Sequence, residues 1–214
     1  MDFKTIIFDF GGVVIDIDPQ LTINAFDKLG MTDSGTFLQP DFINNVIRKF
    51  ERGILTPEAF RDKVRARANT DFTDQEIDDA WNALLFDIPA ERIEVIEGLK
   101  KTHKILLLSN SNEIHYDLYV RDLQLRFGYR EFDELFDKAY FSFDLHLSKP
   151  DIEIYEFVMY QHKLNPAETL FIDDNLENIN SAKSLGWKTY HLQSPERIRD
   201  IFTDGKFNDG LIVE

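Results

Sequence analysis

No cysteine occurs anywhere in the 214 residues, which excludes disulfides, thiolate catalysis and zinc–thiolate sites. Positive charge is scarce: 24 Lys and Arg stand against 39 Asp and Glu, a formal charge of −15. That field repels phosphate backbones, so nucleic acid is not an expected partner, and a small anion needs a local cation or backbone N–H groups to bind. Long apolar runs are missing too. The opening "MDFKTIIFDF" is too short in hydrophobes for a signal peptide or a membrane span, so a cytoplasmic protein without a membrane partner is expected. The five histidines, His103, His115, His146, His162 and His191, lack metal-ligand spacing. Only His115, after "SNSNE", is placed to reach the rim of a crevice. Internal repeats and low-complexity tracts are likewise lacking.

What the chain does have is core. Its 43 % hydrophobic content and 19 Phe suffice for one large domain, with or without a smaller insertion. Five short apolar runs read as strands: "TIIFDF" (5–10), "KILLLSN" (104–110), "KAYFSF" (138–143), "TLFIDD" (169–174) and "WKTYHL" (187–192). The first, second and fourth are almost continuously apolar, as strands covered on both faces of a parallel sheet are. Helical patterns at 151–164 and 175–186 alternate with the later strands, which predicts an α/β doubly wound sheet with right-handed crossovers. Between the first strand and the rest, "PQLTINAFDKLG", "PDFINNVIRKFERG", "TPEAFRDKVRARA" and "TDQEIDDAWNALLF" have helical spacing with Pro, Thr or Asp starts, and no strand interrupts them. The expected division is therefore a core of residues 1–17 and 89–214 with a helical insertion at 18–88. Basic residues in "RDKVRARA" (61–68) read as a salt-bridged surface, and the Phe-rich stretch 125–143 as packing for the third strand or a homodimer contact.

Polar residues collect at the C-terminal ends of strands: Asp9, then Ser109 and Asn110, then Asp173 and Asp174, with Lys149 in the loop "LSKP". Ligands of open parallel sheets bind outside those ends, so the set converges on one crevice. Three carboxylates without Cys or His suit a hard cation such as Mg²⁺. Asp9, already ionised at neutral pH, can attack phosphorus without an adjacent base. Ser109 Oγ, a backbone N–H near Asn110 and the Lys149 ammonium can hold the phosphoryl oxygens, while Gly11 and Gly12 leave room for the group.

The motifs "FDFGGVV", "LLSN", "SKP" and "FIDDNLEN", in that order, resemble those of the haloacid dehalogenase-like hydrolase superfamily, in the branch with an α-helical cap after the first strand. "VVIDID", "ERGILTPEAF" and "FIDDNLENI" are similar to the bacterial sugar-1-phosphate phosphatases and to the phosphatase domain of soluble epoxide hydrolase. The resemblance implies a Rossmann-like core and a Mg²⁺-dependent phosphatase of a small phosphorylated metabolite, working through an aspartyl-phosphate. It implies Asp9 as nucleophile and metal ligand, Gly11 as a carbonyl ligand and Asp174 as the third ligand. Asp173 then lies in or near the outer shell with Asn178, Ser109 and Asn110 hold phosphate, and Lys149 balances charge. The residues themselves do not separate Asp173 from Asp174. Arg52, in "FERGIL", is a candidate for binding a second anionic group or a sugar hydroxyl.

One position departs from the pattern. Most phosphatases of this kind carry a second aspartate where this chain has Gly11, and that aspartate protonates the leaving oxygen and then activates water. Losing such a group costs typically ~10²–10⁴-fold, or roughly 3–5 kcal/mol of barrier. Good leaving groups, as in sugar-1-phosphates, acyl-phosphates or aryl phosphates, are then expected to be favoured, with Asp16 and Asp18 as the nearest substitute acids. Two alternatives stay open: a phosphate-binding regulator with little turnover, and a metal-independent 2-haloacid dehalogenase. The adjacent Asp173 and Asp174 speak against the dehalogenase, since crowded acids without a cation repel an incoming anion.

Overall fold

The computed structural model describes residues 3–31, 35, 39–203 and 205–208. Five parallel strands form one sheet: β1 (Thr5–Phe8), β2 (Lys104–Ser109), β3 (Lys138–Phe141), β4 (Thr169–Asp173) and β5 (Lys188–His191), in the order β3-β2-β1-β4-β5. Alternation along the strands feeds two cores. Ile6, Phe8, Ile105, Leu107, Leu170 and Ile172 pack on one face, and Ile7, Leu106, Leu108 and Phe171 on the other. This is the two-sided burial that the apolar runs predict. Strand order reverses across β1, so the crevice beyond Phe8 and Asp173 is a topological switch point. An antiparallel ribbon, β6 (Phe202–Thr203) with β7 (Lys206–Phe207), closes the described chain.

The segment after β1 is helical: α1 (Pro19–Lys28), α2 (Pro40–Phe42), a π turn (Ile43–Ile47), α3 (Arg48–Glu51), α4 (Pro57–Ala68) and α5 (Asp74–Asn82). Their starts follow from local chemistry. Asp18 caps α1 through Gln20 N–H, Thr56 caps α4 through Ala59 N–H, and Thr73 and Glu76 form a capping box on α5. These helices bury their own cluster, with Phe26, Phe50, Phe60 and Trp81 among its members. Arg61 pairs with Asp78 at 2.8 Å, and Arg65 pairs with Asp62 at 2.9 Å and with Asp74, the salt-bridged surface expected of this helix.

The sheet's crossovers are α6 (Ala90–Lys100), α7 (Glu113–Asp122) with a π turn (Leu123–Phe127), α8 (Phe132–Leu135), α9 (Ser142–Leu145), α10 (Ile152–His162) and α11 (Leu176–Ser184), followed by α12 (Ile198–Ile201). Phe132, Phe136, Phe141 and Phe143 are buried, so these rings of the Phe-rich stretch pack the core and are not free for a dimer contact. No described helix is long and apolar enough to cross a membrane.

Candidate active site

β1 extends its ladder one residue past Phe8, because Asp9 N–H donates to Ile172 O at 2.9 Å, and this fixes the Asp9 carboxylate at the mouth of the switch point. β4 ends on Asp173, and Asn175 then caps α11 through Glu177 N–H. Asp9, Asp173 and Asp174 each bring a carboxylate oxygen within 4.8 Å of the others. Lys149 Nζ lies between two of them, 2.7 Å from Asp9 Oδ1 and 2.7 Å from Asp173 Oδ2.

Asp173 has no spare capacity. Fully buried, it accepts from Lys149, from Asn175 N–H at 2.8 Å and from Asn178 Nδ2 at 3.0 Å on both oxygens. Asp174 points to the exposed side. Gly12 makes room for it: a Cβ at that position would sit 2.2 Å from Asp174 Oδ2, and the backbone there is left-handed at φ +76°. These bonds divide the pair: Asp173 orients Lys149 and Asn178, and Asp174 stays on the exposed side.

Electrostatics agrees with a site short of positive charge. Burial, and then the Asp173 carboxylate, push Asp9 up to about 8 against the pull of Lys149. Asp174 is raised by its burial and by Asp173. Burial disfavours the Lys149 ammonium, yet Asp173 and Asp9 outweigh it and the net shift is upward, so this lysine stays charged. Three crowded carboxylates, all of them oxygen donors, against one ammonium fit a small divalent cation.

The remaining expected residues have partners of their own. Asn110 spends its side chain on Lys149, donating from Nδ2 to the Lys149 carbonyl at 2.8 Å and accepting the Lys149 N–H at 2.9 Å, so its amide positions the lysine. Ser109 is buried at the end of β2, its Oγ 3.4 Å from the Asn110 carbonyl. Arg52 is already engaged: Nε donates to Ser148 Oγ at 2.7 Å, and the guanidinium pairs with Asp151. It clamps the helical insertion to the loop that carries Lys149. His115 is not on a rim. It is buried, stacked on Trp81 at 5.1 Å, bonded to Asn82 Oδ1 at 2.8 Å, and burial alone pulls it down to about 3. Asp16 pairs with buried Arg92 at 2.8 Å and Asp18 caps α1, so neither is a free acid.

A cavity of about 160 Å³ lies next to Lys149, Asn110 and Asn178, with Arg48, Glu51 and Arg52 of the insertion on its opposite wall. Glu51 was not among the expected residues. The signal was adjacent, in the "FERGIL" that singled out Arg52, but only docking of α3 onto the core shows that the glutamate faces inward.

Residues 3–186 match the family of haloacid dehalogenase-like hydrolases. The chain belongs to that family. A curated relative, D-ribitol-5-phosphate phosphatase of Bacteroides thetaiotaomicron, is 32 % identical over 187 residues, which span 87 % of this chain and 90 % of the relative. The solved HAD family enzyme bt-2542 from Bacteroides thetaiotaomicron, a complex with magnesium and inorganic phosphate, superposes with a TM-score of 0.85 at 33 % identity, covering 94 % of this chain and 100 % of that one. A predicted HAD-like family hydrolase from Porphyromonas gingivalis gives 0.82 at 31 % identity, covering 92 % and 94 %. The five-stranded parallel sheet is thus the family's Rossmann-like core.

Proposed function

We propose that the protein is a Mg²⁺-dependent phosphatase of a small phosphorylated metabolite, of the sugar- or polyol-phosphate class. The observation that carries this reading is the meeting of Asp9, Asp174 and Lys149 at one switch point. The phosphatase named among its relatives and the magnesium–phosphate complex of bt-2542 support it.

Asp9, Asp174 and the Gly11 carbonyl would hold the Mg²⁺, which when bound offsets the repulsion between carboxylates and phosphoryl oxygens. Asp9 attacks phosphorus through a carboxylate oxygen, the ester bond breaks, and an aspartyl-phosphate forms on Asp9. Lys149, held charged by two carboxylates and fixed in place by Asn110, binds a phosphoryl oxygen as charge develops on it. Ser109 and the backbone near Asn110 flank the same group. Asp173 and Asn178 keep the ammonium and the metal-side carboxylate oriented. Helices within 18–88 act as a cap over the cavity, excluding bulk water and selecting the alcohol part of the substrate. A cavity of about 160 Å³ with polar walls suits a short hydroxylated chain.

The test is a screen of purified protein against phosphorylated metabolites with Mg²⁺ or with excess chelator. Phosphate release is expected with Mg²⁺ only, and Asp9→Asn is expected to abolish it. Equal hydrolysis by that variant would overturn the reading.

A further inference from the structure

The first turn of the site cannot move a proton to the leaving oxygen. Gly11 has no side chain, Asp16 is tied to Arg92, and Asp18 caps α1. The acid has to come from another element. Three carboxylates border the cavity beside Lys149: Asp151, Glu177 and Glu51. Asp151 is neutralised by Arg52, and Glu177 is exposed at the outer start of α11. Glu51 is half-buried on the opposite wall, and its carboxylate makes no hydrogen bond or ion pair among the described residues.

The backbone that carries Glu51 is fastened to the core. Ser142 Oγ donates to the Glu51 carbonyl, His146 Nδ1 donates to the Arg52 carbonyl at 2.8 Å, and Arg52 reaches Ser148 and Asp151. Gly53 completes the contact, since a Cβ there would lie 2.3 Å from the Phe143 carbonyl. Five contacts on three successive residues hold an unbonded carboxyl on the wall of the cavity that Lys149 also lines. Tyr119, whose ring packs on Phe10 at 4.6 Å, feels both carboxylates: after burial, Asp9 and Glu51 are what push its hydroxyl up.

We propose that Glu51 is the catalytic proton carrier of this enzyme, supplied by the helical insertion in place of an acid at position 11; the proposal rests on the phosphatase reading above. In the first step a carboxylate oxygen of Asp9 bonds to phosphorus, the ester P–O bond breaks, and the leaving oxygen takes the Glu51 proton as the alcohol departs. In the second, ionised Glu51 takes a proton from water as that water bonds to phosphorus. The bond from phosphorus to Asp9 breaks, phosphate leaves, and Glu51 is protonated again. Both forms must be accessible near neutrality. Burial pushes Glu51 up to about 7, moderated by the Arg48 and Lys149 cations that face it. Arg52, Asp151 and Glu177 line the same cavity, and the Tyr119 hydroxyl feels both Glu51 and Asp9.

The experiment compares wild type, Glu51→Gln, Glu51→Ala and Asp9→Asn, with Mg²⁺, on glycerol phosphate and on p-nitrophenyl phosphate. Glu51→Gln should lower kcat/KM on glycerol phosphate by about 10²–10³-fold and remove the pH limb near neutrality. On p-nitrophenyl phosphate, whose leaving group needs no proton, it should give a burst of nitrophenolate followed by slow turnover. Added formate should restore part of the Glu51→Ala activity. Thermal melting shows whether each variant is folded. If folded Glu51→Gln stays within about threefold of wild type on glycerol phosphate while Asp9→Asn is inactive, Glu51 is not the carrier and the phosphatase reading survives. If wild type hydrolyses neither ester with Mg²⁺, both fall.

Discussion

The ends of the central strands and the helical insertion solve opposite problems. At the strand ends, Asp9, Asp173 and Lys149 are 8, 0 and 3 % exposed and bonded to one another, so their geometry is set by the sheet and hardly adjustable. The insertion has a core of its own and meets the site through polar contacts around Glu51, Arg52 and Gly53. Rigid strands hold the charges that, on the proposed reading, act on phosphorus. A separately packed body, latched by few bonds, is on the proposed reading the part that closes over the rest of the substrate.

Removing the buried cation should break the contrast most severely. Lys149→Met leaves two carboxylates facing each other in the interior, and stability is expected to fall by about 3–5 kcal/mol in urea melts, with activity lost. A loss below about 1 kcal/mol would show that the strand-end charges are not rigidly coupled. Mg²⁺ comes next: at one hundred times its Kd it should add about 2.7 kcal/mol to wild type, and Asp174→Asn should lose most of that gain.

The insertion should add a pH response of its own to that of the raised Asp9 and Asp174 carboxyls. Glu51 stands at about 7 in the folded chain against 4.5 for a free glutamate, so the folded state holds an extra proton between those values. Stability from this group is therefore lost as pH rises across that window and is not regained above it. Glu51→Gln should remove this group's share of the slope and leave that of Asp9, making the variant more stable than wild type at pH 8 by on the order of 1–3 kcal/mol, and nearly equal at pH 4. The smallest stability effect belongs to the latch. Arg52→Ala removes a partly exposed pair and should change stability by less than about 1 kcal/mol, while kcat/KM falls roughly tenfold because the cap closes less precisely. If Arg52→Ala unfolds the protein, insertion and sheet are one cooperative body and the comparison fails.

The chemistry of the strand ends was legible because parallel strands are apolar runs, and the first polar residue after each run marks the open edge of the sheet. Asp9 and Asp173 converge for that reason, and the loop that carries Lys149 brings its ammonium between them. What side chains do after convergence was less legible. The Asn110 side chain binds the Lys149 backbone, a partner that exists only once two loops 39 residues apart have met. His115 follows a polar stretch, but Asn112 caps α7 and turns that ring inward onto Trp81. Glu51 carried no local mark, since a glutamate near the end of a helix is ordinary until another element encloses it. The short ribbon of β6 and β7 was also missed, its strands being only two residues each.

The central claim is that Asp9 itself becomes phosphorylated, and rapid acid quenching of wild type during turnover of a radiolabelled phosphate ester tests it directly. We expect label bound covalently to the chain, released by hydroxylamine as an acyl-phosphate is, located by peptide mapping to Asp9, and enriched in Glu51→Gln. Label on another residue, or turnover with no covalent label in either protein, would contradict the account.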